Sequence, residues 1–429
     1  MRVIRHSEPD FEQRLLEMTN ASALFDAEIE ERARQILHVV RAKGDEALLE
    51  LTKRFDGADL TDDRLAVSQA ELLAASLQAG PEIRSAVAEA SKNIAKFAQR
   101  SRRRNWESIN SHGARVGEKF DPYQRVGIYI PGGKAPLVST ALMTIVLAKV
   151  AGCPEIVVCT PCDKEGSVNP ALLYAAKAAG ATEIYRVGGA QAIGALAYGT
   201  KTIRPVQKIF GPGNAYVVAA KRLVVGHVAI DLLPGPSEVF ILADDTAPAA
   251  YIAADLLAQA EHGSGHERVW FATTSAKLIK AVARELDRQL PRLVRRELVE
   301  RVLGNNAWMI QVKTPEAAIS LANRLAPEHC EILAKQPRRL AERILTAGAI
   351  FLGPYSPTVL GDYVAGPSHT LPTGGAGASF GGLTIDQFQR RTSVVEYSRP
   401  ALKRALKAVK VFADLEGLQG HGASAACRL

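Results

Sequence analysis

The sequence has no uninterrupted run of about eighteen apolar residues, so no segment reads as a membrane-spanning helix. The best candidate, Leu142 to Val158, is broken by Lys149 and Pro154. The opening stretch, Met1-Arg2-Val3-Ile4-Arg5-His6-Ser7, lacks the apolar core of a signal peptide, which points to a cytoplasmic protein with no membrane partner. Cysteine is sparse and odd in number: Cys153, Cys159, Cys162, Cys330 and Cys427. Without a secretory signal, that count argues against a disulfide framework. Cys159-Thr160-Pro161-Cys162 has redox-motif spacing, but it opens a loop after a strand. A helix N-terminus, which would lower a thiol pKa, is missing there. No nucleic-acid-binding motif is present. The basic triplet Arg102-Arg103-Arg104, next to Trp106, follows the helical pattern Ile83 to Phe97 and reads as a solvated helix end. The net charge of +8 would nevertheless attract anionic ligands, dinucleotides included.

What is present is the material of an ordinary globular protein. A chain of 429 residues with 47% hydrophobic and 23% charged content suggests two or more globular units. Ala27 to Val40, Asp45 to Phe55, Ala70 to Ala79 and Glu82 to Ala98 carry apolar residues at helical spacing. From Val126 the pattern changes to alternation. Strands at Val126 to Ile130, Ile156 to Val158, Ile184 to Val187 and Gln207 to Phe210 are each followed by a helix: Leu137 to Val150, Pro170 to Ala179, Ala190 to Tyr198 and Ala215 to Leu223. A second set has strands at Val239 to Leu242, Val269 to Thr273, Trp308 to Val312 and Ala349 to Leu352. Its helices are Pro248 to His262, Ala276 to Leu290, Pro315 to Leu325 and Arg338 to Leu345, with Pro248 suited to the first helical position. Such alternation implies parallel sheets with right-handed crossovers. The sets meet at Pro234-Gly235-Pro236, a Gly-rich loop spans Gly353 to Gly382, and a last helix runs from about Pro400 to Phe412.

Four loops of the first set lie beyond strand ends, where doubly wound folds bind ligands: Pro131-Gly132-Gly133, Gly188-Gly189-Ala190-Gln191, Gly211-Pro212-Gly213-Asn214 and Pro234 to Ser237. None matches G-x-G-x-x-G strictly, so a nucleotide site and plain tight turns both remain open. The second set holds the reactive side chains. Gln259 and His262 are three apart and share one helix face. A carboxamide oxygen and an imidazole placed so can hold a cation, or simply end a helix. Glu328 and His329 can divide proton-transfer work near neutral pH, or lie solvated on the surface. Asp362 and His369 lie in the Gly-rich loop, and Glu416 and His421 in the tail. One amide oxygen, two imidazoles and one carboxylate suit Zn²⁺, but spacing alone does not assemble Gln259, His262, Asp362 and His421.

Eight ordered motifs resemble those of the histidinol dehydrogenase family, from about residue 25 to the C-terminus. They are Val126-Gly127-Ile128-Tyr129-Ile130-Pro131-Gly132-Gly133, Gly188-Gly189-Ala190-Gln191-Ala192-Ile193, Phe210-Gly211-Pro212-Gly213-Asn214, Gly235-Pro236-Ser237-Glu238-Val239, Gln259-Ala260-Glu261-His262, Ala326-Pro327-Glu328-His329, Gly361-Asp362-Tyr363 and Glu416-Gly417-Leu418. The resemblance implies an α/β fold of two incomplete Rossmann-like parallel-sheet units with small helical terminal extensions. Residues 1–24 would be the N-terminal extension, and 25–125 with 238–382 the catalytic zinc-site domain. Residues 126–237 would form the NAD-binding domain, and 383–429 a C-terminal extension exchanged within a homodimer. It implies oxidation of L-histidinol through L-histidinal to L-histidine, the last steps of histidine biosynthesis, with two NAD and one zinc. Gln259, His262, Asp362 and His421 would hold the zinc, and Tyr129, Gln191 and Asn214 the NAD. Ser237, His329, His369 and Glu416 would surround the substrate together with the zinc ligands, and Glu328 and His329 would be the acid–base pair.

The chain departs from the family's pattern at Gly263-Ser264-Gly265-His266, where an acidic residue and a proline usually follow the histidine, and at Thr358, Ser368, Pro234 and Lys134. Cys330, beside His329, stands where an apolar residue is common and reads as packing. Those departures leave two other readings: a zinc- and NAD-dependent dehydrogenase of this fold acting on another amino alcohol or polyol, and a non-catalytic ligand-binding paralogue. Retention of both Glu328 and His329 speaks against the last.

Overall fold

The computed structural model of the chain describes residues 1–20, 26–132 and 136–429. Gly133, Lys134 and the end of the expected N-terminal extension lie outside the described residues. Fourteen strands are described. β1 (Arg2–Arg5) opens the chain, and β2 (Trp106–Ile109) and β3 (Arg115–Pro122) form an antiparallel pair. β4 (Arg125–Tyr129), β5 (Glu155–Thr160), β6 (Glu183–Arg186), β7 (Lys208–Phe210) and β8 (Ala229–Ile230) form one parallel sheet in the order β6-β5-β4-β7-β8. β9 (Glu238–Ala243), β10 (Arg268–Thr273), β11 (Ala307–Gln311), β12 (His329–Leu333) and β13 (Ala349–Leu352) join β1 in a second, in the order β1-β11-β10-β9-β12-β13. β14 (Gln389–Glu396) adds to the β2–β3 pair.

The two parallel sheets match the expected fold class, and physical chemistry explains why these segments form them. β4 and β9 are buried along their whole length, as strands covered by helices on both faces must be. Side-chain caps start the intervening helices. Asn169 accepts from the backbone of Ala171 and Leu172, Ser275 from Leu278 and Thr314 from Ala317. Each such cap stabilises by about 1 kcal/mol. On the second sheet, one face packs against Ile252, Leu256, Val282 and Val302, and the other holds stacked Trp270 and Trp308, 6.0 Å between centroids. Phe388 stacks on Phe210 at 3.8 Å and ties the segment before β14 to the first sheet. Arg125 spans the carboxylates of Glu155 (2.8 Å) and Glu183 (2.6 Å) at the base of that sheet, stapling the starts of β4, β5 and β6.

Several expectations need correction. The helices of residues 27–101 pack on the first parallel sheet, through Leu37, Val40, Leu48, Val87 and Ile94. In the N-terminal extension, β1 precedes the helix Phe11–Asn20 and completes the edge of the second sheet. The helix expected over Pro248 to His262 runs Ala249–Ala260, with Pro248 as its N-cap residue and His262 in the turn beyond. The helix expected over Arg338 to Leu345 is Pro337–Ala341. β12 and the helix Arg296–Asn305 are additional to the expected second set. Among the described residues, no helix is long and apolar enough to cross a membrane.

Candidate active site

The first sheet changes winding direction between β4 and β7, the point at which open α/β sheets leave a crevice at the strand carboxyl ends. Tyr129, the last residue of β4, stands there. Its carbonyl lies where a Cβ on Gly211 would approach to 2.0 Å, and Gly211 has φ +110°, so only glycine fits. Gly132 and Gly188 close on opposite sides of Pro161, leaving 2.4 and 2.6 Å to its ring for a Cβ. The Tyr129 hydroxyl accepts from the Gly189 N–H at 3.1 Å, and burial pushes its pKa up to about 12, so it stays a neutral phenol. Gln191 is buried and its Oε1 has no hydrogen-bond partner, which leaves an acceptor available to a ligand. Asn214 is exposed, and its Oδ1 is already engaged, capping the helix Ala215–Leu223 through Tyr216 and Val217 at 3.1 Å each. Sequence reasoning missed Lys221 and Asp231. This fully buried ion pair clamps the same loop, with Lys221 donating to the Gly211 carbonyl at 2.8 Å and Asp231 accepting from the Gly211 N–H at 2.7 Å. A lysine within a helical pattern carries no sign of that role.

The reactive groups of the second sheet gather at the opposite, amino, ends of its strands. β9 begins at Glu238 and β12 at His329, and the helix Ala249–Ala260 delivers Gln259 from its C-terminal end. Glu328 Oε2 accepts from the Glu238 N–H at 2.8 Å and from the Ser237 hydroxyl. Burial nevertheless dominates and pushes the Glu328 carboxyl up to about 7. Glu238 is pushed up to about 8, again chiefly by burial, with Arg268 pulling the other way from 3.7 Å.

His329 Nδ1 lies 3.0 Å from the Glu238 carbonyl, which can only accept, so the proton is assigned to Nδ1 and Nε2 keeps its lone pair. Burial lowers the His329 pKa and favours this neutral ring. Nε2 points toward Asp362, 3.8 Å from Oδ1. His369 is oriented in the same way, with Nδ1 3.0 Å from the Asp362 carbonyl and Nε2 3.2 Å from the Thr140 hydroxyl. His262 Nδ1 meets the Gln259 carbonyl at 3.1 Å, leaving its Nε2 free to accept. The Gln259 amide is buried, and neither its oxygen nor its nitrogen has a partner.

Glu328, His329, His369, His262 and Asp362 therefore form one cluster, in which Glu328, His329 and His369 sense charge from others of the set. The tail is not part of it within this chain. Glu416 caps the helix Arg399–Leu415, His421 sits in Gln419–Ala426, both are exposed, and neither acts on the cluster. Among the described residues, no three His, Cys, Asp or Glu side chains are spaced to hold a metal without help. The glutamine amide and a donor from elsewhere would have to complete any such site. Cys330 points away, packed with Phe240, Leu242 and Trp270, and burial pushes its thiol up to about 12.

The atypical turn after His262, Ser368 and Thr358 are built into the structure. The buried Glu267 carboxylate accepts from the Ser264 and Gly265 N–H groups (2.6 and 2.8 Å) and shapes the turn after His262. Ser368 is buried and accepts from the Thr370 N–H, and Thr358 donates its N–H to Glu331 at 2.7 Å.

The family model for histidinol dehydrogenase matches residues 19–429. The chain is 45% identical over 406 residues to the histidinol dehydrogenase of Heliobacterium mobile, covering 95% of each. It is 44% identical over 430 residues to that of Synechococcus sp., covering 100% of this chain and 98% of the relative. The crystal structure of histidinol dehydrogenase from Elizabethkingia anophelis superposes with a TM-score of 0.94 at 34% identity, covering 100% of this chain and 98% of that one. An acetylating aldehyde dehydrogenase from Geobacillus thermoglucosidasius shares the fold at a TM-score of 0.50 and 16% identity, covering 90% of this chain and 96% of that one. By whole-length family match, identity and superposition, the chain belongs to the histidinol dehydrogenase family.

Proposed function

We propose that this chain oxidises L-histidinol through L-histidinal to L-histidine, with NAD as hydride acceptor, as a cytoplasmic homodimer. One observation carries the reading: two adjacent buried groups, Glu328 and His329, are set for different proton transfers by different surroundings. His329 holds Nδ1–H on a carbonyl and offers Nε2 as a base for the substrate hydroxyl, whose proton leaves as hydride departs from the same carbon. Glu328, in its ionised form, takes a proton from the water that adds to the aldehyde carbon. The aldehyde oxygen takes back the proton held by His329, and the resulting hydrate would give a second hydride to a second NAD as His329 removes a hydroxyl proton, leaving the acid. Ser237 and the Glu238 N–H hold the Glu328 carboxylate still through this step.

Tyr129 and Gln191 would line the NAD crevice, with Asn214 at its rim. NAD held there would supply the hydride acceptor.

Gln259, His262 and Asp362, with His421 supplied by a second copy, would hold a zinc ion. The partnerless buried Gln259 amide and the free Nε2 of His262 fit that role. Zinc in this position would act as a Lewis acid that orients the imidazole and amine of histidinol. Glu416 from the same second copy would face the substrate's cationic amine, and His369 would line the pocket.

The test is a turnover assay. Two NADH per L-histidinol, abolished by chelation and by His329→Ala, is the expected result. Turnover confined to another alcohol would reassign the substrate, and no turnover on any alcohol would overturn the reading.

A further inference from the structure

One buried pair of acids lies beneath the cluster. Glu331 is two residues after His329 on β12, hence on the same face of the strand. Asp255 is one turn before Gln259 on the helix Ala249–Ala260, on the same side of that helix. Thr358 starts the helix Thr358–Tyr363, one turn before Asp362. These second positions meet. Glu331, 2% exposed, accepts from the Thr358 N–H at 2.7 Å through Oε1. Its Oε2 is buried with no N–H or hydroxyl donor facing it, and the Glu331 carboxyl lies against that of Asp255.

We propose that Asp255 and Glu331 share one proton, and that the resulting acid–carboxylate hydrogen bond positions the three elements carrying Gln259, His329 and Asp362. Both are positioning residues, since neither touches the reacting atoms. The proton sits on Glu331 Oε2 and is donated to Asp255, which supplies the partner that the buried oxygen otherwise lacks. Two carboxylates in contact and out of water cannot both ionise. Burial and the Asp255 charge push Glu331 well up, and burial pushes Asp255 up to about 6. The groups facing the pair are Thr358 from its helix and the two acids themselves; the Cys330 thiol lies on the other face of the strand. Among the described residues, no cation acts on either carboxyl. Loss of the shared proton would put two negative charges in contact and pull the metal-bearing helix away from the strand.

The proposal rests on the metal reading above, so the experiment separates the two. Zinc is titrated into metal-free protein for the wild type, His262→Ala, Asp255→Ala and Glu331→Gln. Glutamine at 331 keeps an acceptor for the Thr358 N–H and a permanent donor for Asp255. Near neutral pH, Glu331→Gln should bind zinc within about two-fold of the wild type. Asp255→Ala should bind about ten-fold or more weakly, the usual effect of losing an outer partner. Raising the pH from about 7 to about 9 should favour Glu331→Gln over the wild type progressively, because only the wild type has a shared proton to lose. Metal-free unfolding gives a second readout. The wild type should lose stability relative to Glu331→Gln between about pH 5 and about pH 8. Equal zinc binding by the wild type and His262→Ala would overturn the metal reading and this proposal with it. His262-dependent binding with a pH-independent ratio between the wild type and Glu331→Gln would overturn this proposal alone. If Asp255→Ala does not fold, the comparison of Glu331→Gln with the wild type decides.

Discussion

Replacing Glu328 by glutamine should change how stability depends on pH, and by an amount the structure sets. The carboxyl ionises near 4.5 when exposed and at about 7 in the fold, a gap worth about 3 kcal/mol. Below 4.5 the group is protonated in both states and its neutral form is fully accommodated. Between 4.5 and about 7 the unfolded chain releases a proton that the fold retains, so stability falls as pH rises, levelling off above about 7. Glutamine cannot titrate, and its amide oxygen can still accept from Ser237 and the Glu238 N–H. In urea unfolding of metal-free protein, Glu328→Gln should therefore gain about 3 kcal/mol on the wild type between about pH 4 and about pH 8. Part of the gain will pass through Glu238, which feels the Glu328 charge. A stability difference that stays constant across this range would refute the argument that burial governs Glu328. The same group should set the acid limb of kcat/KM for L-histidinal oxidation, because only its ionised form can accept a proton from water.

Three further outcomes follow from other contacts. Ser237→Ala removes a hydrogen bond that favours ionised Glu328, so the acid limb of kcat/KM should move to higher pH. Gln259→Leu replaces an unpartnered buried amide with a side chain of similar size. Metal-free protein should melt higher, by about 1–3 kcal/mol of added stability, while chelator-sensitive activity disappears. Gly188→Ala would drive a methyl group into Pro161, so the KM for NAD should rise with little change in the apparent zinc affinity.

Much of the fold was legible because a parallel sheet covered on both faces leaves a strong trace. Val126 to Ile130, Ile156 to Val158 and Val239 to Leu242 are β-branched runs between Gly and Pro turns, and no other element fits them. β2 and β14 were not legible, being mostly exposed strands with no apolar face to show. β12 hid for the opposite reason: His329 and Glu331 look polar, yet both are buried and used. The Arg296–Asn305 helix was readable in principle, since Val299, Val302 and Leu303 lie at helical spacing. At the site, the motifs named Glu328, His329, Gln259, His262 and Asp362, but not what tunes them. The Glu238 carbonyl that fixes the His329 tautomer and the acid pair between the helix Ala249–Ala260 and β12 depend on contacts between segments far apart in the chain.

β1 also constrains how this protein can be made. Arg2 pairs with Trp308 and Arg5 with Gln311, so β1 waits for a partner roughly three hundred residues downstream. At about 5–20 residues per second the delay is on the order of 15 to 60 s. During it the first parallel sheet, whose strands all lie between Arg125 and Ile230, can close without any later strand. The second sheet begins in the middle, at β9 and β10, and gains β1 at one edge once β11 is made, while β12 and β13 follow at the other. A bulky fusion at the N-terminus would thus burden the closing of that edge and leave β11 open on the nascent molecule.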